Sequence, residues 1–172
     1  MTERPGAVTL QGTPMTVIGK ELKAGDPAPD FRVVTQDLSE KSLSDYEGKP
    51  LLISVVTSLD TGICDLQTRR FDEEAAKLGE KASILTISAD LPFAQKNWCS
   101  EAAADSVEVL SDHREMNFGD NWGTHVKELR VEQRALFVVD SKGTIVHAQY
   151  VPEIAEHPDY DAALEAIRSI VD

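Results

Sequence analysis

The sequence has no long apolar run and relatively few basic residues. Nothing in its 172 residues approaches the roughly 18–20 apolar residues of a membrane-spanning helix. Residues 1–10 have no apolar centre flanked by basic residues, so they do not resemble a signal peptide. The net charge of −13 opposes binding to nucleic acid or to an anionic membrane, which both require a basic patch. These absences predict a cytoplasmic protein with neither a nucleic-acid nor a membrane partner.

Cysteine is scarce, and the common metal-binding and phosphate-binding motifs are missing. The two cysteines, Cys64 and Cys99, do not form a Cys-x-x-Cys pair. The four histidines show no metal-ligand spacing, and the chain has no glycine-rich phosphate loop. We therefore expect no metal and no cofactor. In a cytoplasmic protein, a cysteine pair is more often catalytic, redox-sensing or unrelated than a stable structural disulfide.

The length and the apolar pattern predict a single α/β domain over residues 1–172. An N-terminal β-hairpin is expected at about residues 8–18, followed by strand–helix units, an antiparallel hairpin and a closing helix. The apolar runs at 51–56, 82–88 and 135–140 are typical of strands covered on both faces. This order of elements predicts a central mixed β-sheet flanked by helices.

Periodicity and capping residues predict where the main helices lie. A helix is expected from about Gly62 to Leu78, and Gly79 supplies its stop. Asp90 is expected to cap a second helix that Pro92 can begin. The last helix is expected to start at about residue 158 or 159.

Cys64 lies in the first turn of a predicted helix, directly after a buried strand. The free N–H groups and the positive dipole end of a helix favour a thiolate there. The alternative is a buried cysteine that packs as a small hydrophobe, but its position favours the reactive thiol. Thr61 stands three residues earlier, where its hydroxyl can either face the sulfur or cap the helix.

Cys99 and Arg134 are more ambiguous when only the residues are considered. A helical cysteine beside Trp98 is more often part of a core than catalytic. Arg134 stands immediately before a buried strand, so it can point at a neighbouring helix N-terminus and stabilise a thiolate there. A solvated arginine or an ion pair with Glu132 are the alternatives.

The segment 58–64, Ser-Leu-Asp-Thr-Gly-Ile-Cys, resembles the active-site loop of bacterial thiol peroxidases. These proteins are an atypical two-cysteine branch of the peroxiredoxins. The resemblance covers nearly the whole chain, and several long motifs in the same order make it specific. The other matching segments are 8–17, 67–71, 88–95 leading to Cys99, Arg134-Ala135 and 158–164.

The resemblance implies a thioredoxin-like fold and reduction of hydrogen peroxide and alkyl hydroperoxides. Cys64 would be the peroxidatic thiolate, while Thr61 and Arg134 would hold the peroxide oxygens. Cys99 would be the resolving cysteine, which forms an intramolecular disulfide that thioredoxin reduces. The resemblance also implies a homodimer that needs no metal or flavin.

One position departs from the family pattern Pro-x-x-x-Thr-x-x-Cys, because Thr57 stands where the family has proline. In the family, this proline shields the sulfur. Threonine adds a hydroxyl and a backbone N–H and loses the fixed φ of proline. We therefore expect a looser pocket and a sulfenate more open to overoxidation. A redox sensor or an impaired peroxidase is the alternative that Thr57 raises. A non-peroxidatic thiol–disulfide oxidoreductase is disfavoured by the missing Cys-x-x-Cys.

Overall fold

The computed structural model describes residues 1–171, so Asp172, the last residue of the predicted domain, lies outside the described residues. Eleven strands and four α-helices make up this part of the chain. The strands are β1 Glu3–Leu10, β2 Thr13–Ile18, β3 Arg32–Val34, β4 Glu40–Ser42, β5 Leu51–Val55, β6 Ser83–Ser88, β7 Glu108–Ser111, β8 His125–Val126, β9 Val131–Glu132, β10 Ala135–Val139 and β11 Ile145–Tyr150. The helices are α1 Gly62–Leu78, α2 Pro92–Ala102, α3 Asn117–Trp122 and α4 Tyr160–Arg168.

Seven strands form the central sheet, in the order β11-β10-β5-β6-β7-β3-β4. Strands β5, β6 and β7 are parallel, whereas β10, β11 and β3 join them antiparallel. The predicted central mixed sheet is therefore confirmed. Side chains of β5 alternate between two apolar clusters, with Leu52 in one and Leu51, Ile53 and Val55 in the other. Since both faces are covered, every residue of β5 is buried, and apolar and polar residues do not alternate along the strand.

A smaller sheet contains the N-terminal hairpin, in the order β1-β2-β8-β9. The hairpin begins at Glu3 rather than at about residue 8, and its register is irregular between Arg4 and Val8. Strands β8 and β9 have only two residues each and were not predicted, because a periodic pattern needs a longer run. Strand β8 pairs with β2 of the hairpin, and β9 pairs with β8.

One of the two capping predictions holds, and the last helix begins at Tyr160, close to the expected residue 158 or 159. Helix α1 runs from Gly62 to Leu78 and ends at Gly79, whose φ is +58°. The side chain of Asp159 accepts a hydrogen bond from the Ala162 N–H at 3.1 Å and caps α4. The prediction for Asp90 is wrong, because the N-cap of α2 is Leu91.

Asp90 instead holds the loop that precedes Cys64. Its carboxylate accepts hydrogen bonds from the Leu59 N–H at 2.9 Å and from the hydroxyls of Ser58 at 2.8 Å and Ser88 at 2.7 Å. These contacts tie the turn between β5 and α1 to the end of β6.

In residues 1–171, no helix is long and apolar enough to cross a membrane.

Candidate active site

Cys64 is the third residue of α1, and its side chain is completely buried, with 0% exposed. The turn held by Asp90 leads directly from β5 into this helix, so the sulfur lies beyond the end of a central strand. At this place the unpaired N–H groups of the first turn favour a negative charge.

The guanidinium of Arg134 lies against the sulfur, with 3.2 Å between Nη1 and Sγ of Cys64. Arg134 directly precedes β10, which pairs with β5, so the sheet brings the arginine to the start of α1. Only 1% of Arg134 is exposed. Its other hydrogen bonds go to neutral oxygens, namely the Ile154 carbonyl at 2.7 and 3.2 Å and Gln67 Oε1 at 3.0 Å. Within residues 1–171, no carboxylate pairs with this buried cation, and such a cation stabilises a thiolate beside it.

This geometry decides between the interpretations of Arg134 that its place in the sequence left open. The guanidinium is neither solvated nor paired with Glu132 in residues 1–171. It points at the N-terminal turn of α1, as its position before a buried strand indicated.

Gln67 is a site residue that the sequence reasoning missed. Its side chain is fully buried, donates to Ser54 Oγ at 2.8 Å and accepts from Arg134 at 3.0 Å. Gln67 therefore fixes the guanidinium relative to β5 as well as to α1. Its spacing could have identified it, because a residue three positions after Cys64 lies on the same buried face of the helix, and a polar residue there needs a partner.

Thr61 is exposed, and its hydroxyl donates to the Ser58 carbonyl at 3.0 Å. The main chain of Thr61 forms the N-cap of α1, but its side chain makes no capping hydrogen bond. In this state the hydroxyl stabilises the turn and makes no hydrogen bond to the sulfur. Its expected contact with peroxide remains a prediction.

Cys99 lies on α2 and is 9% exposed. Gln36 Nε2 donates to its sulfur at 3.3 Å, and burial raises the pKa of the thiol. Cys99 also lines an open cavity of about 890 Å³, together with Gln36 and Lys96. Both cysteines are free thiols that belong to the same apolar cluster. A 2.8 Å hydrogen bond from Trp98 Nε1 of α2 to Asp65 Oδ1 of α1 connects the two helices that carry the cysteines.

Residues 23–164 match a family model described as Redoxin. The chain belongs to the redoxin family. Among its relatives, a thiol peroxidase of Bacillus subtilis is 54% identical over 164 residues, which cover 95% of this chain and 98% of the relative. A thiol peroxidase of Oceanobacillus iheyensis is also 54% identical over 157 residues, covering 91% of this chain and 95% of the relative.

A solved structure supports the same relationship. The crystal structure of a peroxiredoxin-like protein from Aquifex aeolicus superimposes on this redoxin with a TM-score of 0.90 and 37% identity. The match covers 96% of this chain and 98% of the solved chain. The predicted family and its thioredoxin-like fold are confirmed.

The site of this redoxin combines a buried nucleophile with a fixed cation. A thiolate at Cys64 can attack an electrophilic oxygen, and the Arg134 guanidinium can stabilise negative charge that develops on the leaving oxygen. Within residues 1–171, no three His, Cys, Asp or Glu side chains are grouped so that they could hold a metal ion.

Proposed function

We propose that this redoxin is a thiol-dependent peroxidase that reduces hydrogen peroxide and alkyl hydroperoxides. The observation that carries the proposal is the 3.2 Å contact between Arg134 Nη1 and the buried sulfur of Cys64 at the start of α1. The names and the identity of the relatives support it independently. They also favour a peroxidase over a redox sensor or an impaired enzyme.

In the first step, the Cys64 thiolate attacks the terminal oxygen of the hydroperoxide. The S–O bond forms while the O–O bond breaks, and the leaving oxygen takes up a proton to become water or an alcohol. The sulfur is oxidised to a sulfenic acid, which is a reversible state. Arg134 stabilises the leaving oxygen, and the hydroxyl of Thr61 turns from Ser58 to bind the peroxide.

Cys99 then resolves the sulfenic acid. Its thiolate attacks the Cys64 sulfur, forming the disulfide and releasing the sulfenic oxygen as water. Because the two sulfurs lie on separate helices, we expect one or both helix ends to unwind locally and the bond between Trp98 and Asp65 to open. Two electrons from thioredoxin reduce the disulfide through a mixed disulfide. We further infer a homodimer in the cytoplasm from the family resemblance.

Mass spectrometry of the reduced protein after addition of one equivalent of hydroperoxide tests the proposal. The wild-type protein should lose two hydrogens as the disulfide forms. Cys64→Ser should not react, whereas Cys99→Ser should gain one oxygen as its Cys64 becomes the sulfenic acid. An unchanged mass of the wild-type protein, or an equal reaction of Cys64→Ser, contradicts the proposal. Turnover with thioredoxin is then measured separately, so that a different reductant is not mistaken for lack of peroxidase chemistry.

A further inference from the structure

Asp112 and Glu132 are two buried carboxyl groups, and Glu132 is connected to the active-site segment through its main chain. Glu132 is 0% exposed and Asp112 is 2% exposed, and both carboxyl groups pack against Gly119. The Gly119 N–H donates to Asp112 at 2.8 Å, and a Cβ on Gly119 would lie 2.8 and 3.0 Å from the Glu132 carboxyl oxygens. Glu132 Oε2 accepts a 2.5 Å hydrogen bond from the Thr124 hydroxyl. Across residues 1–171, no donor group reaches Glu132 Oε1. Two carboxyl groups can bond to each other only if one of them carries a proton.

Burial raises the pKa of both carboxyl groups, and the hydrogen bonds around them favour Glu132 as the member of the pair that carries the proton. Asp112 accepts main-chain hydrogen bonds from Phe118 at 2.9 Å and Gly119 at 2.8 Å, which stabilise its carboxylate form. Among residues 1–171, the Thr124 hydroxyl is the one group that donates to the Glu132 carboxyl. Burial raises the pKa of Glu132 well above its ordinary value, and the charge of Asp112 adds to the effect. A neutral Glu132 donates to Asp112 and satisfies both groups.

The same residue is connected to the active site through its main chain. The Glu132 carbonyl accepts a 2.9 Å hydrogen bond from the Thr57 hydroxyl, at the end of the strand that leads to Cys64. Glu132 pairs with His125 in the two-residue strand β9, and Arg134 follows two residues later. Glu132 therefore holds the segment that presents Arg134 to the sulfur.

The surroundings leave little room for a second negative charge. A Cβ atom on Gly119 would lie 2.8 Å from Glu132 Oε2, so the carboxyl packs directly against α3. The charged groups that face it are Asp112, from the loop after β7, and Asp120, from α3. His125 of β8 is engaged with Asp120 at 2.7 Å. Within residues 1–171, no lysine or arginine makes a hydrogen bond or an ion pair with Glu132 that would offset its ionisation.

We propose that Glu132 is a positioning residue, which holds Arg134 against Cys64 while its proton bonds to Asp112, and that loss of this proton at alkaline pH slows the reaction with peroxide. Ionisation places two carboxylates side by side in a buried space. Their repulsion is relieved by displacement of β9, and Arg134 moves with it. The inference rests on the proposed peroxidase function.

The test follows oxidation of Cys64 by hydrogen peroxide in a stopped-flow instrument from neutral to alkaline pH. The wild-type rate should fall by about tenfold or more, since small displacements of a catalytic group have effects of this size. Glu132→Gln keeps a donor to Asp112 but cannot ionise, so its rate should stay level. A parallel decline in both proteins, or a decline in neither, overturns the inference. A wild-type protein that fails to react at neutral pH contradicts the proposed function instead.

Two further measurements keep the inference testable if Glu132→Gln does not fold. Thr124→Val removes the donor that favours ionised Glu132. The rate of Cys64 oxidation should therefore begin to decline at a higher pH than in the wild-type protein. Infrared spectra of the wild-type protein at neutral pH should contain the C=O stretch of an un-ionised carboxyl group, and this band should be lost as the pH rises. An unshifted decline in Thr124→Val, or absence of the infrared band, overturns the inference.

Discussion

The hydroxyl of Thr57 donates a 2.9 Å hydrogen bond to the main-chain carbonyl of Glu132. Thr57 precedes the turn that leads to Cys64 in α1, and Glu132 precedes Arg134 by two residues. The bond therefore joins the two segments that present the sulfur and its cation. The proline of the resembling family pattern cannot make this connection, because proline has no side-chain donor.

Replacing Thr57 by proline exchanges this connection for a fixed φ and, as the family resemblance implies, for a shield over the sulfur. We expect Thr57→Pro to change the rate of peroxide oxidation and to make the Cys64 sulfenate more resistant to overoxidation. Stopped-flow oxidation gives the rate, and mass spectrometry at rising peroxide concentration gives the sulfinic acid fraction. Thr57→Val is the matched control, because it removes only the hydroxyl. If Thr57→Pro matches the wild-type protein in both measurements, the predicted looser pocket is wrong.

Gln67 allows the charge next to Arg134 to be changed without altering the arginine. In Gln67→Glu, a carboxylate replaces the amide oxygen that now lies 3.0 Å from Arg134 Nη1. The new ion pair offsets the guanidinium charge, so the Cys64 thiolate is less stabilised and peroxide oxidation should slow by about tenfold. Gln67→Met, which adds no charge, should slow it less. Equal rates for Gln67→Glu and the wild-type protein would show that the guanidinium charge does not control the reaction.

We expect Trp98 to control the proposed second step, in which the disulfide forms. Trp98→Phe removes the 2.8 Å bond to Asp65, which holds α2 against the first turn of α1. One such bond contributes roughly 1 kcal/mol, so disulfide formation from the sulfenic acid should accelerate about fivefold. The rate of peroxide oxidation should not change. Acid-quenched samples analysed by mass spectrometry separate the two steps. An unchanged or slower second step would mean that opening this contact does not limit resolution.

Glu153 connects the N-terminal hairpin to the segment that contains Ile154, whose carbonyl binds Arg134. Main-chain N–H groups of Ala155 and Gly12 lower the pKa of Glu153 to about 2. Because the folded-state pKa is depressed, its stabilising effect is present above the ordinary glutamate range and is lost as pH falls towards about 2.

In Glu153→Gln, the unfolding temperature should therefore be lower than that of the wild-type protein at neutral pH. The difference between the two proteins should shrink as the solution is acidified, because the glutamine does not titrate. Thermal unfolding followed by circular dichroism over a pH series measures this difference. A constant difference at every pH would show that ionised Glu153 contributes nothing specific to stability.

Local patterns in the sequence were sufficient for much of the fold. The apolar run at 51–56 predicted a buried strand, and the helix at Gly62–Leu78 followed from periodicity and from Gly79. The matching motifs around Cys64 indicated the family. These features depend on neighbouring residues, whose propensities and spacing are written directly in the chain.

Only the tertiary structure decided which groups meet. Arg134 and Cys64 are 70 residues apart, and their contact depends on the pairing of β10 with β5. The place of Gln67 between them, the role of Asp90 in the loop and the buried pair of Glu132 and Asp112 depend on the same packing. A hydrogen-bond partner far along the chain leaves no local period, so the sequence determined a thiol at the start of a helix and the folded structure supplied its cation.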